Sequence, residues 1–346
     1  MSKSTIDERY EQLLQVPKTW VVTGAAGFIG SHLIQKLLSI GQRVIALDNF
    51  SSGHRHNIEK VRVLVGNSSK NLDLHDGDIN DTSLCKRLLK GADIVLHQAA
   101  LGSVPRSVED PMRTNTANVD GFLSILVAAR EVGVKRFVYA SSSSVYGDSA
   151  ELPKVEDRTG RPLSPYAVSK AVNELYARVF TELHGMELIG LRYFNVFGPR
   201  QDPEGAYAAV IPRWIGEMLR GSRCSIFGDG LTSRDFCYVA NVVQANVLAA
   251  TTNNRSAFGT AFNIAVGGRT NLRELYSMIR DSLRAQGVLN VPDEPEFKPF
   301  RSGDIAHSHA SIDRARTLLG YSPTHTLATG MGETVSAYLA DDTSTR

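Results

Sequence analysis

Tyr166 and Lys170, in the run SPYAVSK, stand four residues apart and share one face of any helix that contains them. A free phenol titrates near ~10, so it is a poor base at neutral pH. A cation held close by stabilises the phenolate and makes the tyrosine a usable base. Taken alone, the pair reads as a packed tyrosine beside a solvated lysine. What stands around it decides between the two.

Two other clusters bear on that choice. Four serines, Ser141 to Ser144, follow the apolar run RFVYA, and a hydroxyl there can hydrogen-bond a substrate oxygen whose proton moves. The residues alone do not choose among the four. In WVVTGAAGFIGSHLIQKLL, Gly24, Gly27 and Gly30 allow a tight turn, close approach to a pyrophosphate and close helix–strand contact, with a helix N-terminus facing the phosphates. Asp48 ends RVIALD eighteen residues beyond Gly30, where it can accept hydrogen bonds from an adenosine ribose and repel a 2′-phosphate. The pattern predicts NAD rather than NADP. Asp78 and Ile79, after Gly77, could lie against the adenine, and Gln98, Ala99 and Ala100 could let a cofactor approach; each alone is a plain strand end.

Positioning these groups requires alternating strands and helices. Apolar runs predict strands at 20–23, 43–47, 94–97, 136–140 and 187–192, with helices near 28–40, 81–90, 112–132 and 165–184. This rhythm predicts an α/β fold: a Rossmann-type, doubly wound parallel sheet covered on both faces. Ser142 would then sit at a strand end on the ligand-binding side. After about residue 195 glycine and proline become frequent and strands short. A smaller, discontinuous substrate domain is expected at 195–238 and 268–340, beside an NAD-binding domain at 18–194 that includes parts of 239–267. Helices near 239–251 and 271–286 could belong to either.

Composition excludes several roles. With 38 basic and 36 acidic residues among 346, the chain is too balanced to predict a nucleic-acid or anionic-membrane surface. Asp7, Glu8, Arg9 and Glu11 interrupt the apolar run a signal peptide needs, and no stretch reaches membrane-span length. Cys85, Cys224 and Cys237 lack metal-ligand spacing and predict reduced thiols in a cytoplasmic protein. His54/His56 and His307/His309 lack carboxylate or cysteine partners at ligand spacing, so no metal is expected.

The order TGAAGFIG, LDNFSSG, HQAALGSVPRS, ASSSSVYGD, SPYAVSK, RYFNVFGP resembles that of extended short-chain dehydrogenases/reductases. Over about residues 18–322 the chain is most similar to nucleotide-sugar 4-epimerases, in particular bacterial UDP-N-acetylglucosamine 4-epimerases of surface-polysaccharide synthesis. The resemblance implies Tyr166 as base, Lys170 also on the nicotinamide ribose, and the catalytic hydroxyl at Ser142, with Ser144 second. It also implies Phe28, Ile29, Asn49 and Tyr193 against the cofactor. For the substrate it implies Ser103, Ser143, Asn195, Ala209 and Val210 near the sugar, Arg234 and Arg301 on the diphosphate, and Asp304 on the uridine ribose.

Dehydratases that resemble this chain follow the active-site threonine with Asp-Glu, and decarboxylases of UDP-glucuronate carry a Glu two residues after it. Ser143 and Ser144 occupy those places, which favours oxidation and re-reduction at C4 alone. Ser308 stands where enzymes restricted to UDP-glucose and UDP-galactose carry tyrosine, so the resemblance implies room for a 2-acetamido group and a UDP-N-acetylhexosamine substrate. Ala306, Ser225 and Phe227 depart from the relatives' Arg, Tyr and Asn. His307, His309 or Arg106 could instead meet a 6-carboxylate, which leaves UDP-GlcNAcA/UDP-GalNAcA epimerisation as the alternative. A nucleotide-sensing protein that has lost catalysis is a further alternative, although such regulators lose the Tyr or Lys present here. Relatives pair through the 112–132 and 165–184 helices, implying a homodimer built on a four-helix bundle.

Overall fold

A computed structural model describes residues 4–204, 208–300 and 307–344. Strands β1 (Thr19–Thr23), β2 (Arg43–Asp48), β3 (Leu72–Asp76), β4 (Ile94–His97), β5 (Arg136–Ser142) and β6 (Glu187–Tyr193) form one sheet with Thr260–Ile264. The order is Thr260–Ile264, β6, β5, β4, β1, β2, β3, and every pairing is parallel. Strands such as β1, TWVVT, are apolar and buried on both faces, as a sheet with helices on both sides requires.

The reversal of strand order between β1 and β4 opens a crevice at their carboxyl ends, where such sheets take ligands. Thr23 pairs with His97 and with Leu47, so the glycine turn, Asp48 and Gln98 emerge at one edge. One core joins Trp20, Val22, Leu33, Leu37 and Val44 to Val242, Val247 and Leu248. The Val239–Thr251 helix thus packs back on the sheet. A second core centres on Trp214, Ile215, Met218, Tyr276, Ile279 and Leu283, under the helices Val210–Leu219, Leu272–Ala285 and Leu327–Ser344.

Several elements differ from the sequence expectation. β3 (LDLHD) is half-polar because it is a sheet edge, and Thr260–Ile264 carries a buried Asn263 that disguises it. The helix expected at 112–132 is three pieces: Pro111–Asn115, a wide π turn at Thr116–Asp120, and Gly121–Glu131. The widened turn places Asn118 inside, where its side chain accepts from Leu101 N at 2.7 Å and donates to Leu101 O and to Ser169 Oγ, each at 3.1 Å. Beyond residue 195 the strands outside the main sheet are two or three residues long. Ser233–Arg234 lies between Thr270–Asn271 and His307–Ser308, and Glu296–Lys298 pairs with Ser225–Phe227.

Candidate active site

The cradle at the crevice is backbone packed against backbone. Gly24 has φ +64°, and a Cβ there would come within 2.7 Å of Ala99 N. A Cβ on Gly30 would fall 2.1 Å from Gly24 O, so glycine alone lets the turn sit on the helix Phe28–Ser39. Gly27 caps that helix without a side-chain bond, leaving Phe28 and Ile29 in an open first turn. Asp48, Asn49, Asp78, Ile79, Gln98, Ala99 and Ala100 line the same cleft. These residues fit a dinucleotide.

Asp48 does more than the sequence reading required. Its Oδ2 accepts from Ala26 N at 2.8 Å and its Oδ1 from Phe50 N at 2.7 Å, so it braces the glycine turn as well as facing the cleft. Burial raises its pKa, and those two amides oppose the rise. Asp78 accepts from Asn80 N and Nδ2 at 2.8 Å and from Asn49 Nδ2 at 2.7 Å. Burial would raise its carboxyl, but these donors outweigh it and leave the pKa lowered. Tyr193 donates to Gln98 Oε1 at 3.0 Å and accepts from Asn246 Nδ2 at 2.9 Å. Asn246 was not singled out in the sequence, because it lies inside the Val239–Thr251 helix.

The helix Pro165–His184 begins at Ser164, whose side chain accepts from Ala167 N at 3.1 Å, with Pro165 in the first turn. It lays Tyr166 and Lys170 along the end of β5. Lys170 is buried and donates to Ala140 O at 2.8 Å, with Nζ 5.9 Å from the Tyr166 ring centre. Burial pushes its ammonium down to about 8.

The four serines separate. Ser142 is the serine that acts on Tyr166, lowering its phenol, and its hydroxyl accepts from Ser144 N at 3.1 Å. Ser141 points to Glu174, and the buried Ser144 hydroxyl has no hydrogen-bond partner. Ser143 opens a short helical turn ending at Tyr146. In the chain alone the Tyr166 phenol stands above its ordinary value. Burial raises the phenol, and Ser142 opposes this.

On the facing lobe, Ser308 and Arg234 are register partners, as are His307 and Ser233. Asp235, missed in the sequence as one acidic residue among many, holds this corner. Its carboxylate accepts from Val266 N at 3.1 Å, Gly267 N at 3.0 Å and Ala310 N at 3.4 Å, and burial raises it to about 6. Asn195, at φ +35°, donates to Asp235 O at 3.1 Å. Ser103, at φ +106°, caps the helix Val104–Glu109, and Ala209 caps the helix that Val210 begins. Arg301 and Asp304 lie outside the described residues, as does Ala306. No group of three or more His, Cys, Asp or Glu among the described residues could hold a metal ion. No helix among them is long and apolar enough to cross a membrane.

Comparison with known proteins fits this geometry. The model of the NAD dependent epimerase/dehydratase family matches residues 20–265. A UDP-glucose 4-epimerase of Mycolicibacterium smegmatis is 39% identical over 320 residues, covering 92% of this chain and 97% of its own. A UDP-N-acetylglucosamine 4-epimerase of Methanobrevibacter ruminantium, solved with UDP-N-acetylmuramic acid, superposes with a TM-score of 0.85 at 37% identity, covering 94% of this chain and 99% of that one. A Thermus thermophilus UDP-glucose 4-epimerase, solved with NAD, gives 0.80 at 32%, covering 93% and 99%.

Proposed function

The chain belongs to the NAD dependent epimerase/dehydratase family and is a UDP-sugar 4-epimerase with NAD as its cofactor; within that activity, we propose that it interconverts UDP-GlcNAc and UDP-GalNAc. The observation that carries this reading is Ser308, a small side chain beside Arg234, with its backbone oxygen held by Asp235 N at 2.9 Å. A tyrosine there would fill the space a 2-acetamido group needs. The same strand speaks against a 6-carboxylate substrate. Side chains alternate along it, and His307 is turned away from Ser308 toward Ser233 Oγ at 2.8 Å and Arg269 at 3.1 Å.

The catalytic roles follow from the same geometry. Tyr166 takes the proton of the 4-hydroxyl and later returns it, while Ser142 donates to the phenolate oxygen and steadies it. Lys170, fixed by Ala140 O, keeps a positive charge beneath that site. NAD, held in the cleft of Asp48, Asp78 and Gln98, would supply the acceptor for the C4 hydride and the donor that returns it. Burial leaves Tyr166 a weak acid, and a positive charge on a bound nicotinamide would add to that of Lys170 in lowering it. With serines at 143 and 144, no carboxylate stands there to drive elimination. Asp48, Asp78, Gln98 and Tyr193 hold the cofactor, and Arg234 with Arg301 the diphosphate. The product would supply glycosyltransferases that build surface polysaccharide. Val168, Leu175, Val179 and Leu183 leave one face of the Pro165–His184 helix apolar and 44–72% exposed, which supports a homodimer through this helix.

A substrate panel of UDP-Glc, UDP-GlcNAc and UDP-GlcNAcA tests the reading. Ser308→Tyr is expected to cut turnover of the acetylated sugar at least tenfold and spare UDP-Glc, since bulk in a pocket discriminates on that scale. Equal loss on both sugars refutes it.

A further inference from the structure

Reading Tyr166 as the base leaves unexplained what keeps its helix in register with the strand end that carries Ser142. We propose that Glu174, paired with Arg192, is a positioning residue for the reaction, holding Ser142 against Tyr166 by way of Ser141. The inference rests on the roles given above to Tyr166 and Ser142.

Glu174 lies one turn beyond Lys170 and two beyond Tyr166, so all three face β5. Its Oε1 accepts from Ser141 Oγ at 2.5 Å and from Arg192 Nε at 2.9 Å, and its Oε2 from Arg192 Nη2 at 2.7 Å. Arg192 sends Nη1 to Tyr146 Oη at 3.0 Å and to Glu156 O at 2.9 Å. The two side chains are 17% and 6% exposed. Ser141 and Arg192 are register partners, and so are the next residues, Ser142 and Tyr193. Ser142 acts on the Tyr166 phenol, and Tyr193 reaches Gln98 in the cofactor cleft. A single fork thus joins the catalytic helix, β5 and β6 one residue behind the groups that act.

Stability is a weak reason for such a pair. Apolar residues of similar volume often serve a core as well as a buried ion pair does. What a guanidinium–carboxylate fork adds is direction, because two parallel hydrogen bonds fix both planes. A small misplacement of a catalytic group lowers turnover steeply while leaving binding alone.

The test is a double-mutant cycle on the holoenzyme, using whichever of UDP-Glc and UDP-GlcNAc it turns over faster. Glu174→Gln is expected to lower kcat about tenfold with KM unchanged within about twofold. If Glu174 acts through Ser142, the double variant with Ser142→Ala turns over no more slowly than Ser142→Ala alone. Should Glu174→Gln fail to fold, Ser141→Ala cuts the same link, leaves the ion pair intact and takes its place. A slow Ser142→Ala variant whose loss adds to that of the partner substitution overturns the positioning role and leaves the catalytic reading standing. A Ser142→Ala variant within about twofold of wild type overturns both.

Discussion

Lys170→Met separates what this lysine does for catalysis from what it does for stability. The side chain is 2% exposed, and burial pushes its ammonium down from 10.5 to about 8. The folded value lies below the unfolded one, so holding the proton penalises the folded state. The penalty is in full force below about pH 8 and fades as pH climbs toward 10.5. At about 1.4 kcal/mol per pH unit it amounts to about 3 kcal/mol. Methionine fills the same channel without a charge but loses the bond to Ala140 O, a cost of about 1 kcal/mol. The cofactor-stripped variant is therefore expected to be about 2 kcal/mol more stable than wild type at pH 7. By pH 10 the advantage should vanish or reverse, while turnover falls about 100-fold or more at every pH. Urea unfolding of both proteins at pH 7 and pH 10, beside an epimerisation assay, reads all three quantities. A Met variant less stable than wild type at pH 7, or a gap unchanged at pH 10, refutes the burial argument. Near-normal turnover refutes the catalytic one.

Tyr166→Phe should abolish epimerisation while NAD stays bound; a variant within about tenfold of wild type would exclude Tyr166 as the base. Gly30→Ala drives a Cβ to 2.1 Å from Gly24 O and should destabilise the protein by about 2 kcal/mol or more, with loss of bound NAD. Thermal melting and the NAD content of denatured protein measure both effects. Leu175→Glu, at a position 62% exposed on the apolar helix face, should convert a dimer to monomer by light scattering without altering the helix content.

The parts of this protein legible in its sequence are those that local geometry dictates. TGAAGFIG must be a turn because Gly24 needs a left-handed backbone and Gly30 leaves no room for a Cβ. The helix at 165–184 announces itself through the Ser164 cap, Pro165 and a regular apolar spacing, and its ends match the expectation. β3 and Thr260–Ile264 were missed because pairing with a neighbouring strand, rather than composition, makes them strands. Asn263 is polar in sequence yet buried, with its amide shared among Tyr146 Oη, Lys154 O and Ser311 O.

The site divides in the same way. Sequence alone determined the tyrosine–lysine pair, the glycine cradle and the absence of carboxylates at 143 and 144, since each depends on neighbours a few residues apart. Only the tertiary structure decided which of four serines meets Tyr166, because the choice depends on how a strand end faces a helix twenty-four residues later. Only it revealed Asn118, Glu174, Arg192 and Asp235, whose partners lie 17 to 75 residues away. A side chain's chemistry can be read from its type, but its partner cannot, since hydrogen bonds across a core are set by packing rather than by spacing along the chain.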